Sequence, residues 1–129
     1  MNKILVEVSL GELLDKISIL EIKSEKIKDP EKLSFIIDEY NILKDQLNTN
    51  IKNYIEIETL YNSLKEINSK LWVIEDNKRL CEKNSDFGEK FIKLSRDVHF
   101  LNDERAKLKL EINNKTGSKI KEIKEYTKY

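Results

Sequence analysis

Four polar or aromatic residues recur at helical spacing in the second half of the chain: Asn68, Trp72, Glu75 and Arg79. At about 100° per residue they fall on one flank of a helix, beside its apolar stripe. The carboxylate accepts hydrogen bonds, the guanidinium donates them, and the indole ring offers a flat surface for packing. This flank therefore suits a ligand with polar groups and a flat face, or a structural ion pair covered by an aromatic ring.

Arg105 is the charge that most needs an explanation, because its spacing places it in the centre of the apolar stripe of the last predicted helix. A buried guanidinium is tolerated only when it is paired and hydrogen-bonded. Glu21, in the stripe of the first predicted helix, and Glu75 are the acids placed to pair with it. Two interpretations stay open: an ion-pair network that fixes helix packing, or an open cavity where Arg105 meets an anionic ligand.

Further hydrogen-bond donors flank Arg105 on the same helix, namely Asn102, Lys109 and Asn113. Such donors suit phosphate, carboxylate or sugar hydroxyl groups, and they equally suit solvent. We therefore predict a ligand site between helices 1, 3 and 4, without assigning a catalytic residue. Its members are Glu21, Trp72, Glu75, Arg79, Asn102, Arg105 and Lys109.

Metal and nucleophilic chemistry have little support in the sequence. Cys81 is the one cysteine and His99 the one histidine, which excludes an internal disulfide framework and a zinc site built from cysteines. A Mg²⁺ site like those of helical nucleotide pyrophosphatases would combine Glu75 and Asp76 with Glu12, Asp15 and Glu21 of the first helix, but the doubled acidic spacing of that family is missing. We predict no metal and no cofactor.

Length and charge narrow the class of protein. A chain of 129 residues is long enough for one hydrophobic core, so we expect a single domain. Lys plus Arg and Asp plus Glu each number 24, which gives zero net charge and argues against a nucleic-acid partner. No apolar run approaches the ~20 residues of a membrane span. The apolar run at the N-terminus is too short for a signal peptide, so we expect a cytoplasmic protein.

Three glycines, one proline and periodic apolar residues predict an all-α fold. We expect an antiparallel four-helix bundle, preceded by a short extended segment or strand at residues 3–8 and followed by an irregular C-terminal tail. The predicted helices cover residues 10–28, 30–48, 55–83 and 87–115. Heptad-like stripes on the third and fourth helices leave room for a homodimer.

Local signals place the helix ends. Ser9 with Glu12, and Asp86 with Glu89, have the spacing of capping boxes, in which the first side chain accepts from a helical amide and the second reaches back. Gly117 suits the left-handed residue that commonly ends a helix.

Longer motifs run through nearly the whole chain. They are Ser9–Lys23, Asp29–Leu33, Leu71–Asp76 with Arg79, Cys81-Glu82, Asp86–Gly88, Asn102–Ala106 with Lys109 and Asn113, and Gly117-Ser118 with Glu122, Lys124 and Tyr126. As a set they resemble a bacterial family of small helical proteins of unknown function. Members of that family are encoded near, or fused to, proteins that make lipopolysaccharide and other surface glycans. The resemblance implies a helical module linked to glycan assembly, and it carries over no catalytic residue.

Three functions fit these observations. The first is a non-catalytic module that binds an anionic or sugar-bearing ligand, such as a sugar phosphate or nucleotide sugar, or a partner such as a glycosyltransferase. The second is an enzyme that acts on a nucleotide sugar or phosphorylated metabolite, with Glu75 or Asp76 as base or metal ligand. The third is a structural adaptor whose polar network only fixes packing. We take the first as the main hypothesis, and whether the protein is an enzyme stays open.

Overall fold

The computed structural model describes residues 3–51, 55–117 and 123–129, and these residues form four α-helices and no β-strand. The helices are α1 (Leu10–Lys26), α2 (Pro30–Asn50), α3 (Ile55–Lys83) and α4 (Glu89–Thr116). α1 packs against each of the other three helices, and α3 packs along α4. The fold is therefore the all-α helical bundle that the apolar periodicity predicts.

The hydrophobic core joins all four helices around α1. Leu14 and Ile17 of α1 meet Leu47 of α2, Leu64 of α3 and Ile112 of α4, and each of these side chains is at most 2% exposed. Burying an aliphatic side chain of this size contributes about 1.5–3 kcal/mol relative to leaving it in water. These contacts hold α1 in the position from which its polar residues reach α3 and α4.

α1 also carries a second buried stripe, made of Gly11, Asp15, Ser18 and Ile22. Because these residues are spaced by four, three and four, they share one face of the helix. Gly11 sits directly against α4: a Cβ atom there would lie 2.5 Å from the backbone oxygen of Lys109. The absence of a side chain at Gly11 therefore lets the two helices approach closely.

The start of α1 differs from the predicted capping box in one respect. Ser9 Oγ accepts a hydrogen bond from the Glu12 amide at 3.1 Å, as predicted. The Glu12 carboxylate does not return to Ser9 but binds Lys109 Nζ of α4 at 2.7 Å. An ammonium partner across the helix interface gives a stronger, charge-assisted hydrogen bond than a backbone amide does. The contact with Lys109 therefore replaces one of the two hydrogen bonds of the predicted capping box.

α1 is shorter than predicted, and the connection between α1 and α2 is therefore longer. α1 ends at Lys26 and not at residue 28, because Ile27 is already extended. The residue before a proline avoids helical geometry, so the chain leaves the helix ahead of Pro30. Asp29 then caps α2, with Oδ2 accepting from the Lys32 amide at 3.0 Å.

The prediction that Asp86 caps the fourth helix is wrong. α4 begins at Glu89 with Gly88 at the N-cap position, and no side chain caps it. Asp86 Oδ1 accepts from the amide of Gly88 at 3.2 Å, two residues on. This local aspartate turn competes with a capping bond and holds the carboxylate outside the helix.

The two ends of the described chain lie outside the helices. Residues 3–8 have no regular secondary structure and are exposed. Gly117, with φ of +67°, ends α4 in the left-handed conformation that its lack of a side chain permits. Tyr129, at the end of the irregular tail, donates to Asp103 and packs its ring edge-on against Phe100, so the tail returns along α4. The predicted polar break after α2 falls partly in residues 52–54, outside the described residues.

None of the described helices combines the length and the apolar character that crossing a bilayer requires.

Candidate functional site

The centre of the candidate site is an ion pair between Arg105 of α4 and Asp15 of α1. Arg105 Nε donates to Asp15 Oδ1 at 2.9 Å, and Nη2 donates to Oδ2 at 2.5 Å. The expectation that Glu21 or Glu75 pairs with Arg105 is wrong, because the acid that meets it is Asp15 from the second stripe of α1. Asp15 is 1% exposed, whereas 30% of the Arg105 side chain is exposed. The guanidinium therefore bridges the protein interior and the surface.

Buried amide and hydroxyl groups complete the surroundings of Asp15. Asn68 Nδ2 of α3 donates to Asp15 Oδ1 at 2.9 Å and to Ser18 Oγ at 2.8 Å. Ser18 Oγ in turn donates to the backbone oxygen of Asp15 at 2.7 Å. Since every side chain in this network is held by at least two hydrogen bonds, the orientation of Arg105 is fixed by three helices together.

A groove of about 380 Å³ opens on the solvent side of this network, between α1, α3 and α4. We call it the Trp72 groove. Its polar lining is Asn68, Glu75, Asp76, Arg79 and Arg105, and its apolar lining is Ile19, Ile22, Leu71 and Trp72. The volume lies within the range of about 300–1,000 Å³ that small-molecule sites occupy, and a mainly apolar wall with a few placed polar groups is typical of them.

Helical spacing on α3 explains one wall of the groove. Asn68, Trp72, Glu75 and Arg79 are three or four residues apart and so lie one above the other on the same face. Trp72 is half-buried, whereas Glu75 and Arg79 are exposed at the rim. The opposite side of the groove contains Arg105, whose position depends on Asp15.

A second, smaller hollow lies on the other side of Arg105. It measures about 190 Å³ and is lined by Glu12, Asn102, Arg105, Ala106, Lys109 and Lys124, and we call it the Lys109 hollow. Lys109 is only 8% exposed and binds Glu12, so it belongs to the packed interface between α1 and α4 and not to the solvent-facing flank. Arg105 lines both concavities and therefore separates them.

The sequence model of a family of unknown function (DUF6165) matches residues 4–129. The chain belongs to the DUF6165 family. The comparison with curated proteins and the comparison with solved structures gave no match. The family description gives no activity, so the chemistry of the candidate site has to be argued from the geometry of this chain.

The residues predicted as site members fall into three places. Trp72, Glu75, Arg79 and Arg105 line the Trp72 groove, while Asn102, Arg105 and Lys109 line the Lys109 hollow. Glu21 lies apart from both: it accepts from Tyr61 Oη at 2.5 Å and pairs with Lys65 Nζ at 2.9 Å. The binding roles themselves stay predictions.

Lys65 is the cation that Glu21 holds in place. The hydrogen bond from Lys65 to Glu21 is the main cause that raises the pKa of Lys65 above its ordinary value of 10.5, and Glu25 adds to it. Burial acts in the opposite direction and lowers the pKa, because it disfavours the charged ammonium. The pair links α1 to α3, and neither residue lines the Trp72 groove.

Asp15 and Gly11 make important contacts that the apolar periodicity does not predict. The sequence marks Asp15 only as a candidate metal ligand, whereas it pairs with Arg105. Gly11 donates its amide to Asn113 Oδ1 of α4 at 2.7 Å. The signal that could have found them is the four-three-four spacing of Gly11, Asp15, Ser18 and Ile22, a second helical stripe of small and polar residues.

A larger hollow, about 620 Å³, lies between α3 and α4 away from this network, with Val73, Ile74, Phe100 and Leu101 as its apolar lining. We do not take it as the functional site, because charged groups at its edge are paired with neighbours along their own helices. Lys70 pairs with Glu66, and Asp97 pairs with Lys93. The Trp72 groove is smaller, but its polar groups converge from three helices.

Among the described residues, no group of three or more His, Cys, Asp or Glu side chains lies close enough to hold a metal ion.

Proposed function

We propose that this protein is a non-catalytic binding module for a sugar-bearing ligand, and that the Trp72 groove receives the sugar. The observation that carries the proposal is that one groove brings together an indole ring, two carboxylates and two guanidinium groups. A sugar ring has an apolar C–H face, which packs on an aromatic ring, and hydroxyls that both donate and accept. A wall with Trp72, Glu75 and Arg79 supplies a partner for each kind of group.

The balance of charge favours hydroxyl groups over phosphate in the Trp72 groove itself. Its lining has two acids, Glu75 and Asp76, and two guanidiniums, Arg79 and Arg105. The described lining of the Lys109 hollow, by contrast, has three cationic side chains and one carboxylate. When the Asp15 carboxylate that pairs with Arg105 is counted as well, the groove has three acids to two cations, and the hollow has three cations to two acids. An anionic group joined to the sugar would therefore lie on the Arg105 side, next to the hollow in which positive charges outnumber negative ones. This geometry favours a sugar phosphate or a nucleotide sugar.

The setting we propose is the assembly of surface glycans such as lipopolysaccharide in the bacterial cytoplasm. It rests on the motifs of the chain that resemble glycan-linked proteins, among them the segment with Trp72, Glu75 and Arg79. A module that holds an activated sugar has an obvious partner in a glycosyltransferase or another glycan-assembly protein. Binding without turnover needs no catalytic residue.

An enzyme acting on a nucleotide sugar or phosphorylated metabolite is the second candidate. Glu75 and Asp76 both line the Trp72 groove, so a carboxylate stands where a base or metal ligand would be needed. Adjacent helical residues point about 100° apart, which makes the two a poor pair for acid–base chemistry on one bond. The structural adaptor remains the third candidate, supported by the hydrogen-bonded surroundings of Asp15.

A thermal-shift panel separates the three candidates. Free hexoses, hexose phosphates and nucleotide sugars are each added with and without Mg²⁺. A ligand at 100 times its dissociation constant stabilises the folded state by about 2.7 kcal/mol, which raises the Tm by several degrees. We expect this shift for a sugar-bearing anion in the absence of Mg²⁺.

Glu75→Ala should reduce the shift, because it removes an acceptor at the groove rim. Glu66→Ala is the matched control, an exposed glutamate on the same helix outside the Trp72 groove, and it should leave the shift unchanged. A shift that requires Mg²⁺ together with conversion of the ligand would favour the enzyme. If no compound of the panel shifts the Tm, the adaptor is the better account.

A further inference from the structure

The segment of residues 3–8 is apolar and stands in solvent. Ile4 and Leu5 are each 83% exposed, Val6 is 75% exposed and Val8 is 42% exposed. Single exposed aliphatic side chains are common on proteins, but four in five consecutive positions are unusual. Ile4, Val6 and Val8 are β-branched, which suits a strand, and the described part of the chain contains no strand with which they could pair.

The sequence of this segment is complementary to itself in one antiparallel register. When Leu5 lies opposite Leu5 of a second copy, Lys3 lies opposite Glu7 and Ile4 lies opposite Val6. Because the pairing is two-fold symmetric, the Lys3–Glu7 and Ile4–Val6 contacts each occur twice, and the Leu5–Leu5 contact on the axis occurs once. It is the one antiparallel register of residues 3–8 that places both charges opposite charges of the other sign. Opposite charges directly across an antiparallel pair are stabilising, and like charges there are destabilising.

We propose that residues 3–8 pair with the same segment of a second copy of this chain, forming a two-stranded antiparallel ribbon across a two-fold axis. Pairing gives hydrogen-bond partners to the backbone N–H and C=O groups of residues 3–8. It also places Ile4, Val6 and Val8 of both copies on one face of the ribbon, since alternate residues share a face. The dimer does not require the Trp72 groove, so its failure and the failure of sugar binding are separate results.

A ribbon of six residues from each chain is small for an interface, so we expect a weak, concentration-dependent dimer. Sedimentation equilibrium of the full chain, at concentrations up to about 1 mM, measures its dissociation constant. Lys3→Glu places two carboxylates opposite each other in both cross-strand pairs, and Glu7→Lys places two ammonium groups opposite each other in both. Each single variant should weaken the dimer roughly tenfold or more, since both pairs change from attractive to repulsive.

Two combinations of these substitutions restore opposite charges across the strands and therefore test the register. The double variant Lys3→Glu with Glu7→Lys pairs opposite charges again and should dimerise like the wild type. An equimolar mixture of the two single variants should form a heterodimer, because each chain then supplies the charge that the other needs. A wild type that is monomeric at about 1 mM, or single variants that dimerise as well as the wild type, would overturn the proposal.

A cross-link gives a second measurement. Leu5→Cys places two thiols directly opposite each other across the axis, at a separation that a disulfide can span. Mild oxidation should therefore give a covalent dimer. Val8→Cys is the control, because the two thiols would be about six residues apart along the ribbon, about 20 Å. Equal cross-linking of the two variants would show random encounter and contradict the register. Cys81 is buried in the folded chain, so it does not compete for the cross-link.

Discussion

At the scale of single residues, the pair between Asp15 and Arg105 is asymmetric. Asp15 is enclosed by three helices, whereas the guanidinium of Arg105 reaches a groove that opens to solvent. A charge that loses its partner costs most when it cannot turn towards water. Removing Arg105 leaves a buried carboxylate without its cation, whereas removing Asp15 leaves a guanidinium that can turn to solvent. The loss of Arg105 should therefore lower the free energy of unfolding more.

We predict that Arg105→Ala lowers the free energy of unfolding by about 3 kcal/mol, the lower end of the range for breaking a buried pair. Asp15→Ala should cost less, about 1–3 kcal/mol, because Arg105 can turn to solvent and Asn68 keeps its bond to Ser18. Urea unfolding measures both. Arg96→Ala, at an exposed arginine on α4, should stay within about 0.5 kcal/mol of wild type. A larger loss for Asp15→Ala than for Arg105→Ala would contradict this account.

Lys65 gives a pH-dependent prediction. Its folded-state pKa lies above 10.5, so its pairing with Glu21 stabilises the protein fully below pH 10.5 and loses that effect as the pH rises through the folded-state pKa. With 29% of the side chain exposed, we expect no more than about 1 kcal/mol from the pair. The stability difference between wild type and Lys65→Met should therefore be constant at neutral pH and shrink in alkaline solution.

Urea unfolding at several pH values on both sides of 10.5 checks the Lys65 prediction. Lys70→Met is the control, because Lys70 is 56% exposed and its contact with Glu66 is longer, at 3.6 Å. The free energy of unfolding of Lys70→Met should differ little from that of the wild type at every pH. A Lys65→Met difference that grows with rising pH would have the wrong sign and would contradict the assignment.

At the scale of elements, α1 determines how the site is built, because it packs against every other helix. Its two buried stripes make different kinds of contact. The aliphatic stripe with Leu14 and Ile17 joins the hydrophobic core, and the stripe with Gly11, Asp15 and Ser18 meets α3 and α4 through hydrogen bonds. The close approach at Gly11 brings α4, and with it Arg105, within reach of Asp15.

We predict that Gly11→Ala lowers the free energy of unfolding by about 1–3 kcal/mol, a typical cost of overpacking. The added Cβ would lie 2.5 Å from the Lys109 backbone oxygen and 2.9 Å from Asn113 Oδ1, so α1 and α4 must separate. Gly88→Ala is the control, since its nearest neighbour is Asp86 Oδ1 at 3.6 Å. Thermal unfolding compares the two variants. Equal effects would contradict the close contact of α1 with α4.

Local sequence signals predicted the helix ends where neither a tertiary partner nor another local hydrogen bond, such as the one at Asp86, competes. The cap at Asp29 and the left-handed end at Gly117 follow from their own neighbours, and both are present. The capping box of Ser9 is half replaced, because Glu12 finds the ammonium of Lys109 on another helix. The residues next to Glu12 in the sequence do not show that Lys109, on another helix, will lie within reach of its carboxylate.

At the scale of the whole molecule, periodicity and composition were sufficient to predict a helical bundle. Each apolar stripe can be read from the sequence of its own helix, and each stripe has to be buried against another helix. The same holds for the wall with Trp72, Glu75 and Arg79, which depends on spacing along α3. The partner of Arg105 could not be predicted in this way. It depends on how α1 packs against α4, and the close contact at Gly11 is part of that packing.

The fluorescence of Trp72 directly tests the proposal that the Trp72 groove binds a sugar-bearing ligand. Trp72 is the one tryptophan of the chain, so its emission reports on this groove alone. Titration with a nucleotide sugar should give a saturable change in emission, whereas inorganic phosphate should give a weaker one or none. Arg79→Ala should raise the dissociation constant about tenfold, as for a lost hydrogen bond from a charged donor.

Arg96→Ala, an exposed arginine outside the groove, should leave the titration unchanged. Saturable binding that Arg79→Ala weakens and Arg96→Ala does not is the result we predict. An emission that no sugar-bearing compound changes, or a change that survives Arg79→Ala in full, would contradict a ligand in the Trp72 groove.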